Sequence, residues 1–128
     1  MNAKENLVAV QYLRVDAITE DGSQVLDLLG SQISPRGVCA LCSDIHIAQL
    51  HSKDHTEGQP RFQTLLLTLE LGFSGGEMVQ LETAAKVQSI RRVSQEEFEV
   101  FMGFSGMVQD GYRHISRYIV DSGETSTQ

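Results

Sequence analysis

The stretch QTLLLTLEL, Gln63 to Leu71, restricts the fold more than any other part of the chain. Leu65, Leu67, Leu69 and Leu71 occupy every second position, and alternate side chains of an extended strand project to one side. The run predicts a half-buried strand whose apolar face packs on a core.

The same rhythm recurs along the sequence. Leu7 to Ala17 alternates, Glu20-Asp21-Gly22-Ser23 has turn chemistry, and Val25 to Leu29 is extended up to Gly30-Ser31. Val38 to Leu41 is a short apolar strand. Gly72 to Gly76 reads as a hairpin turn, after which Val79, Leu81, Ala85 and Val87 line one face of a long strand, with Arg91 and Arg92 following. A polar turn at Ser94 to Glu97 leads into Phe98, Val100, Met102 and Phe104, which alternate with Glu99 and Gly103. From about Val108 the spacing turns helical: Tyr112, Ile115 and Ile119 share a face, with Arg113 and Arg117 opposite. Ile45 to Gln59 reads as a polar loop carrying His46, His51 and His55, and 122–128 as a disordered tail. The predicted class is all-β, six or seven antiparallel strands closed by one C-terminal α-helix, in a single domain over 1–121.

Charge and cysteine content exclude several functions. Ten basic against 17 acidic residues leave a net charge of −7, which opposes a nucleic-acid partner. The start, MNAKENLVAVQYLRVD, lacks the apolar core of a signal peptide, and no stretch reaches the ~18 apolar residues of a membrane span, so a cytoplasmic protein without membrane insertion is expected. There is no nucleophile elbow, and the Gly72 to Gly76 loop lacks the lysine of a phosphate loop. The expectation is a protein that is not an enzyme, with no catalytic residue and no cofactor.

Two local motifs remain. Cys39 and Cys42 form a C-x-x-C, but a zinc site needs further ligands. His46, His51 and His55 could supply them, His51 and His55 only if their segment is helical. In a strand, positions 39 and 42 face opposite sides, so the pair reads as packing, with a zinc-stabilised module as an alternative. Ser34-Pro35-Arg36-Gly37 is a tight turn: Pro35 fixes its own backbone, Gly37 admits a φ that other residues resist, and the Ser34 hydroxyl caps the turn or meets a ligand.

The order of these elements resembles the PilZ domain, a small bacterial β-barrel known as a receptor module for cyclic di-GMP. The resemblance runs from about Val8 to Ile119. It is carried by Gln32-Ile-Ser34-Pro-Arg-Gly37, Thr83-Ala-Ala-Lys-Val87, Val100-Phe-Met-Gly-Phe104 and Arg117-Tyr-Ile119. It implies a split antiparallel barrel with a C-terminal helix, and a ligand turn made of Gln32, Ser34, Arg36 and Gly37. The family's signature is R-x-x-x-R before the first barrel strand and [D/N]-x-S-x-x-G after the second. Here Gln32 stands at the acidic or Asn position, and the arginine pair expected near Asn6 and Val10 is missing; Lys4 and Arg14 are the basic residues nearby. The Arg113 to Arg117 repeat reads as a solvated helix face.

Each charge-assisted bond to phosphate is worth about 1.5–3 kcal/mol, so losing two arginines costs a hundredfold or more in affinity. The resemblance therefore implies an adaptor in cyclic-di-GMP-linked control of motility, pili or biofilm. It would bind the nucleotide weakly or not at all and a protein partner through strand edges, the C-terminal helix or the histidine loop; self-association is left open. The alternative is a genuine cyclic di-GMP receptor using Gln32, Ser34 and Arg36, with Lys4 or Arg14 swinging in.

Overall fold

The structure is a computed structural model that describes residues 7–10, 12–20, 22, 25–50, 64–107 and 109–126. Alternation becomes seven strands: β1 (Val8–Ala9), β2 (Leu13–Thr19), β3 (Val25–Ser34), β4 (Gly37–Ser43), β5 (Thr64–Gly72), β6 (Met78–Arg92) and β7 (Glu97–Ser105). Two helices accompany them, α1 (Asp44–Leu50) and α2 (Gln109–Ser126). Neighbours follow the order β1-β3-β2-β5-β6-β7-β4, all antiparallel, and β4 also pairs with β3. That last pairing closes β2 to β7 into a six-strand barrel, with β1 as an extra strand that meets β3 at Val8↔Ile33, beyond the reach of β2.

The leucine ladder of β5 fills the barrel as its spacing demands. Leu65, Leu67, Leu69 and Leu71 are all buried. Leu65 lies between Thr19 and Ala85, Leu67 between Ala17 and Thr83, and Leu69 between Val15 and Leu81. Small partners beside two of the leucines make room for their bulk in a closed ring, where inward side chains must interdigitate. Leu26, Leu28, Ile33, Val38, Ala40, Cys42, Val100 and Met102 complete the lining from β3, β4 and β7.

Helix α2 seals one end. Gly111, Ile115, Tyr118 and Ser122 form its buried stripe at intervals of three and four. The Tyr118 hydroxyl donates to the carbonyl oxygen of Tyr12, and its ring meets Phe73 edge-on with centroids 5.3 Å apart. Outside this plug, Arg117 donates to both oxygens of Glu77 (2.9 and 3.1 Å) and lies 4.4 Å over the Phe73 ring. Asp121 accepts from the Ser74 hydroxyl (2.6 Å) and amide (2.9 Å), which hold its carboxyl below the usual range.

Several expectations change at this end. Tyr112 is exposed, and Tyr118 is the anchoring aromatic instead. Arg113 and Arg117 are exposed as expected, but Arg117 is also paired with Glu77 and stacked on Phe73. The chain from Ser122 to Ser126, expected to be disordered, continues the helix, because Ser122 extends the buried stripe.

At the other end, the polar stretch expected to be a loop begins as α1. The Ser43 amide donates to His46 Nδ1 (3.2 Å) while the His46 amide donates to Ser43 Oγ (3.4 Å). This reciprocal cap satisfies backbone donors at the helix start, and Ile47 packs on the core. His51 and His55 lie outside the described residues.

Two stability predictions follow from the lining. Leu69→Ala leaves a void between Val15 and Leu81 and should cost about 2–5 kcal/mol in denaturant unfolding. Burial pushes the Cys42 thiol up to about 11, so the unfolded chain ionises first. The stability contributed by the neutral thiol is intact below the ordinary thiol range, about 8.5, and is lost as pH rises through 11. Urea midpoints measured from pH 8 upward should fall more steeply for the native chain than for Cys42→Ala.

Candidate functional site

The turn singled out in the sequence joins β3 to β4. Ser34 and Gly37 are paired across the hairpin, leaving Pro35 and Arg36 as its exposed tip. The Ser34 side chain is buried; its Oγ accepts the Arg36 amide (3.2 Å) and lies 3.5 Å from the Gly37 carbonyl oxygen. The Phe104 amide donates to the Arg36 carbonyl oxygen (2.8 Å), fastening the turn to β7. Gly37 is required for space rather than for an unusual φ: a Cβ there would lie 2.5 Å from the Met102 carbonyl oxygen and 2.6 Å from Phe101 Cζ. Arg36 is exposed, and its guanidinium makes no ion pair among the described residues.

Beside the turn, the outer surface of β3, β4, β7 and β6 is hollowed. Register shifts between Gly30 and Gln32 in β3 and between Val87 and Ser89 in β6 mark two bulges, which re-aim the side chains that follow. Cys39 and Phe101 sit on the outer side of their strands, since Val38, Ala40, Val100 and Met102 fill the core, yet both are buried. They floor a cavity of about 340 Å³ whose remaining lining is Leu7, Gln32, Ser89, Arg91 and Glu99. Phe101 also abuts Gly37, so the turn and the hollow share a wall.

The electrostatics of this hollow centre on one carboxylate. Glu99 Oε1 accepts from Arg91 Nη2 (2.8 Å), and Oε2 accepts from the Ser31 hydroxyl (3.0 Å). The Glu99 side chain is 16% exposed and that of Arg91 70%, so the acid is drawn inward while the arginine reaches outward. The arginine's charge is therefore already neutralised by a group within the hollow.

The four predicted site residues are split by this geometry. Gln32 lines the cavity; Ser34, Arg36 and Gly37 form the adjoining turn. Arg14 lies elsewhere, bonded to Asp16 (3.3 Å) and Asp27 (3.2 Å), which raise its pKa through the Asp16 hydrogen bond and the charges of both acids. Lys4 and Asn6 fall outside the described residues. Cys42 is in the core and Cys39 in the hollow, so their sulfurs sit on opposite sides of β4, which removes the geometry of the zinc reading. Among the described residues no cluster of three His, Cys, Asp or Glu side chains is suited to a metal.

Sequence reasoning missed Ser31, Glu99, Phe101 and the role of Arg91. Arg91 and Glu99 are directly opposite each other on β6 and β7, a juxtaposition set by register and by the Gln88 bulge. An alternating strand with a charge at one outward position gives no sign of its cross-strand partner. Gly37→Ala should lower stability by about 1–3 kcal/mol in thermal unfolding, because the new methyl meets a backbone oxygen that cannot retreat cheaply. Ser34→Ala, which removes the acceptor for the Arg36 amide and the long bond to the Gly37 carbonyl oxygen, should cost about 1 kcal/mol.

No protein-family model and no curated sequence matches the chain. Solved structures do match. The Bacillus subtilis inhibitor of motility, MotI/DgrA, superposes with a TM-score of 0.70 at 16% identity, over 100% of this chain and 55% of its own. MrkH of K. pneumonia in its apo state gives 0.67 at 10% identity, over 99% and 52%. The PilZ domain of YcgR from Escherichia coli, solved with c-di-GMP, gives 0.59 at 14% identity, over 94% and 90%. The chain thus spans about half the length of MotI/DgrA and of MrkH. Together with the six-strand ring, the extra strand and the terminal helix, these superpositions make the architecture a PilZ-like fold.

Proposed function

We propose that the chain is a PilZ-like regulatory module of cyclic-di-GMP-linked signalling that binds the nucleotide weakly or not at all and acts through a protein partner. The setting is taken from its structural neighbours, an inhibitor of motility and a PilZ domain solved with c-di-GMP. The observation that carries the weak binding is the state of the hollow beside the turn. Its arginine, Arg91, is held by Glu99, and the Ser34 hydroxyl is engaged within its own turn. A ligand with two phosphates entering there finds the arginine of the hollow already paired with a carboxylate and must break that ion pair to gain it. Arg14 is committed to Asp16 and Asp27.

The molecule is a regulator rather than an enzyme, a single domain that includes all of α2 and works in the cytoplasm. No helix among the described residues is long and apolar enough to cross a membrane. One observation favours the receptor alternative: Arg36 is exposed at the tip of the turn that shares a wall with the hollow, and it makes no ion pair among the described residues.

Calorimetric titration with cyclic di-GMP decides between the two. Under the first reading no saturable binding tighter than about 10 μM is seen, and Glu99→Gln, by releasing Arg91, raises the affinity about tenfold. Micromolar or tighter binding that disappears in Arg36→Ala would establish the receptor instead.

A further inference from the structure

The opposite wall of the barrel carries a feature that the ligand hollow does not explain. On the outer face of β3, β2 and β5, Val25 pairs with Ile18, and Ile18 pairs with Leu66. Leu66 in turn pairs with Ala84 on β6. Directly opposed residues have Cβ atoms about 4.5–5.5 Å apart, so the four side chains form one unbroken aliphatic row across four strands. It is not covered: Val25 is 68% exposed, Leu66 56% and Ile18 38%. The outward face of an antiparallel sheet is ordinarily polar, and a contiguous aliphatic row there marks a contact surface.

The next row toward α2 is acidic. Asp27, Asp16, Thr68 and Glu82 are paired in sequence across the same four strands, and Glu70 follows one row further. Arg14 bridges Asp16 and Asp27, and Lys86 stands beyond Ala84 on β6, so four carboxylates face two cations. Glu20, just past β2, adds another exposed acid.

We propose that this wall docks a basic amphipathic segment of a partner protein, its apolar side on Val25, Ile18 and Leu66 and its lysines or arginines on the acidic row. Charge selects this occupant over the others. A second copy of the chain would set the same acids against one another, on molecules that each carry a net charge of −7. An anionic bilayer is repelled for the same reason. The proposal supplies a surface for the partner-binding half of the reading above. It is independent of the turn at 34–37, so a nucleotide titration can fail or succeed without touching it.

The test uses the full chain, isotopically labelled, titrated with a synthetic peptide of leucine and lysine that forms an amphipathic helix. Amide signals of Asp16, Ile18, Val25, Asp27, Leu66 and Glu82 should shift, and a leucine–glutamate peptide should leave them unmoved. The double variant Ile18→Ser/Leu66→Ser, whose sites are exposed and whose fold is verified by an unchanged unfolding midpoint, should bind at least about tenfold more weakly. Shifts centred on α2 or on the 31–37 hollow, undiminished binding by the variant, or no saturable binding would overturn the assignment. Saturable binding to phosphatidylglycerol vesicles, or a dimer at micromolar concentration, that the variant abolishes would give the wall to a bilayer or to a second copy and overturn it equally.

Discussion

The pairing of β4 with two neighbours at once is the contact on which the rest depends. Through Leu29↔Leu41 to Ser34↔Gly37 it holds β3, and through Gly37↔Gly103 to Ser43↔Glu97 it holds β7. With that stave in place the sheet has an inside, and the leucines of β5 face other side chains instead of water. Without it, the apolar faces of β2 and β5 would lie on an open sheet with two long unpaired edges. The short Ser34 to Gly37 hairpin makes the double pairing possible because it returns the chain immediately along β3. Gly37 lets that hairpin lie flat against the Met102 carbonyl and the Phe101 ring.

Closure also makes the two outer walls unequal. Behind β4 and β7 the bulges at Ser31 and Gln88 turn side chains over the sheet, so Cys39, Phe101 and Gly103 are buried on what is nominally the outside. Gln88 reaches across Gly103, where a Cβ would lie 2.2 Å from its Nε2. That wall becomes a pocketed surface with polar groups at its rim. The wall of β3, β2 and β5 has an uninterrupted register over these rows, and its outward residues stand in straight lines, aliphatic in one and acidic in the next. One barrel thereby presents a hollow on one side and a flat wall on another.

Charge is distributed differently over the two walls. In the hollow, Glu99 satisfies Arg91 and Ser31, leaving the site locally balanced. On the flat wall, Arg14 answers only part of the acidic row. At the helix end, Arg117–Glu77 and Asp121–Ser74 lie at the surface and add orientation more than stability, while the buried Tyr118 and Ile115 hold the plug.

The strands, their turns and the final helix were legible in the sequence because each is written in local spacing: every second residue in β5, every third or fourth in α2. The inward identity of Leu65 to Leu71 followed from that spacing alone, and so did the place of the 34–37 turn. Local reading stopped where the cause was not local. It placed Tyr112 on the buried face of α2, because phase along a helix cannot be fixed until the barrel mouth selects Tyr118. It gave Gly37 a conformational role, when the reason is the neighbouring strand β7. The cap of α1 was passed over in a polar stretch, since Ser43 and His46 become a cap only once β4 ends there. Tertiary structure alone decided that Glu99 meets Arg91, that Cys39 and Cys42 part company, and that Val25, Ile18 and Leu66 align. Each of these is a matter of register between strands distant in sequence, and register is fixed by the whole ring closing rather than by any strand within it.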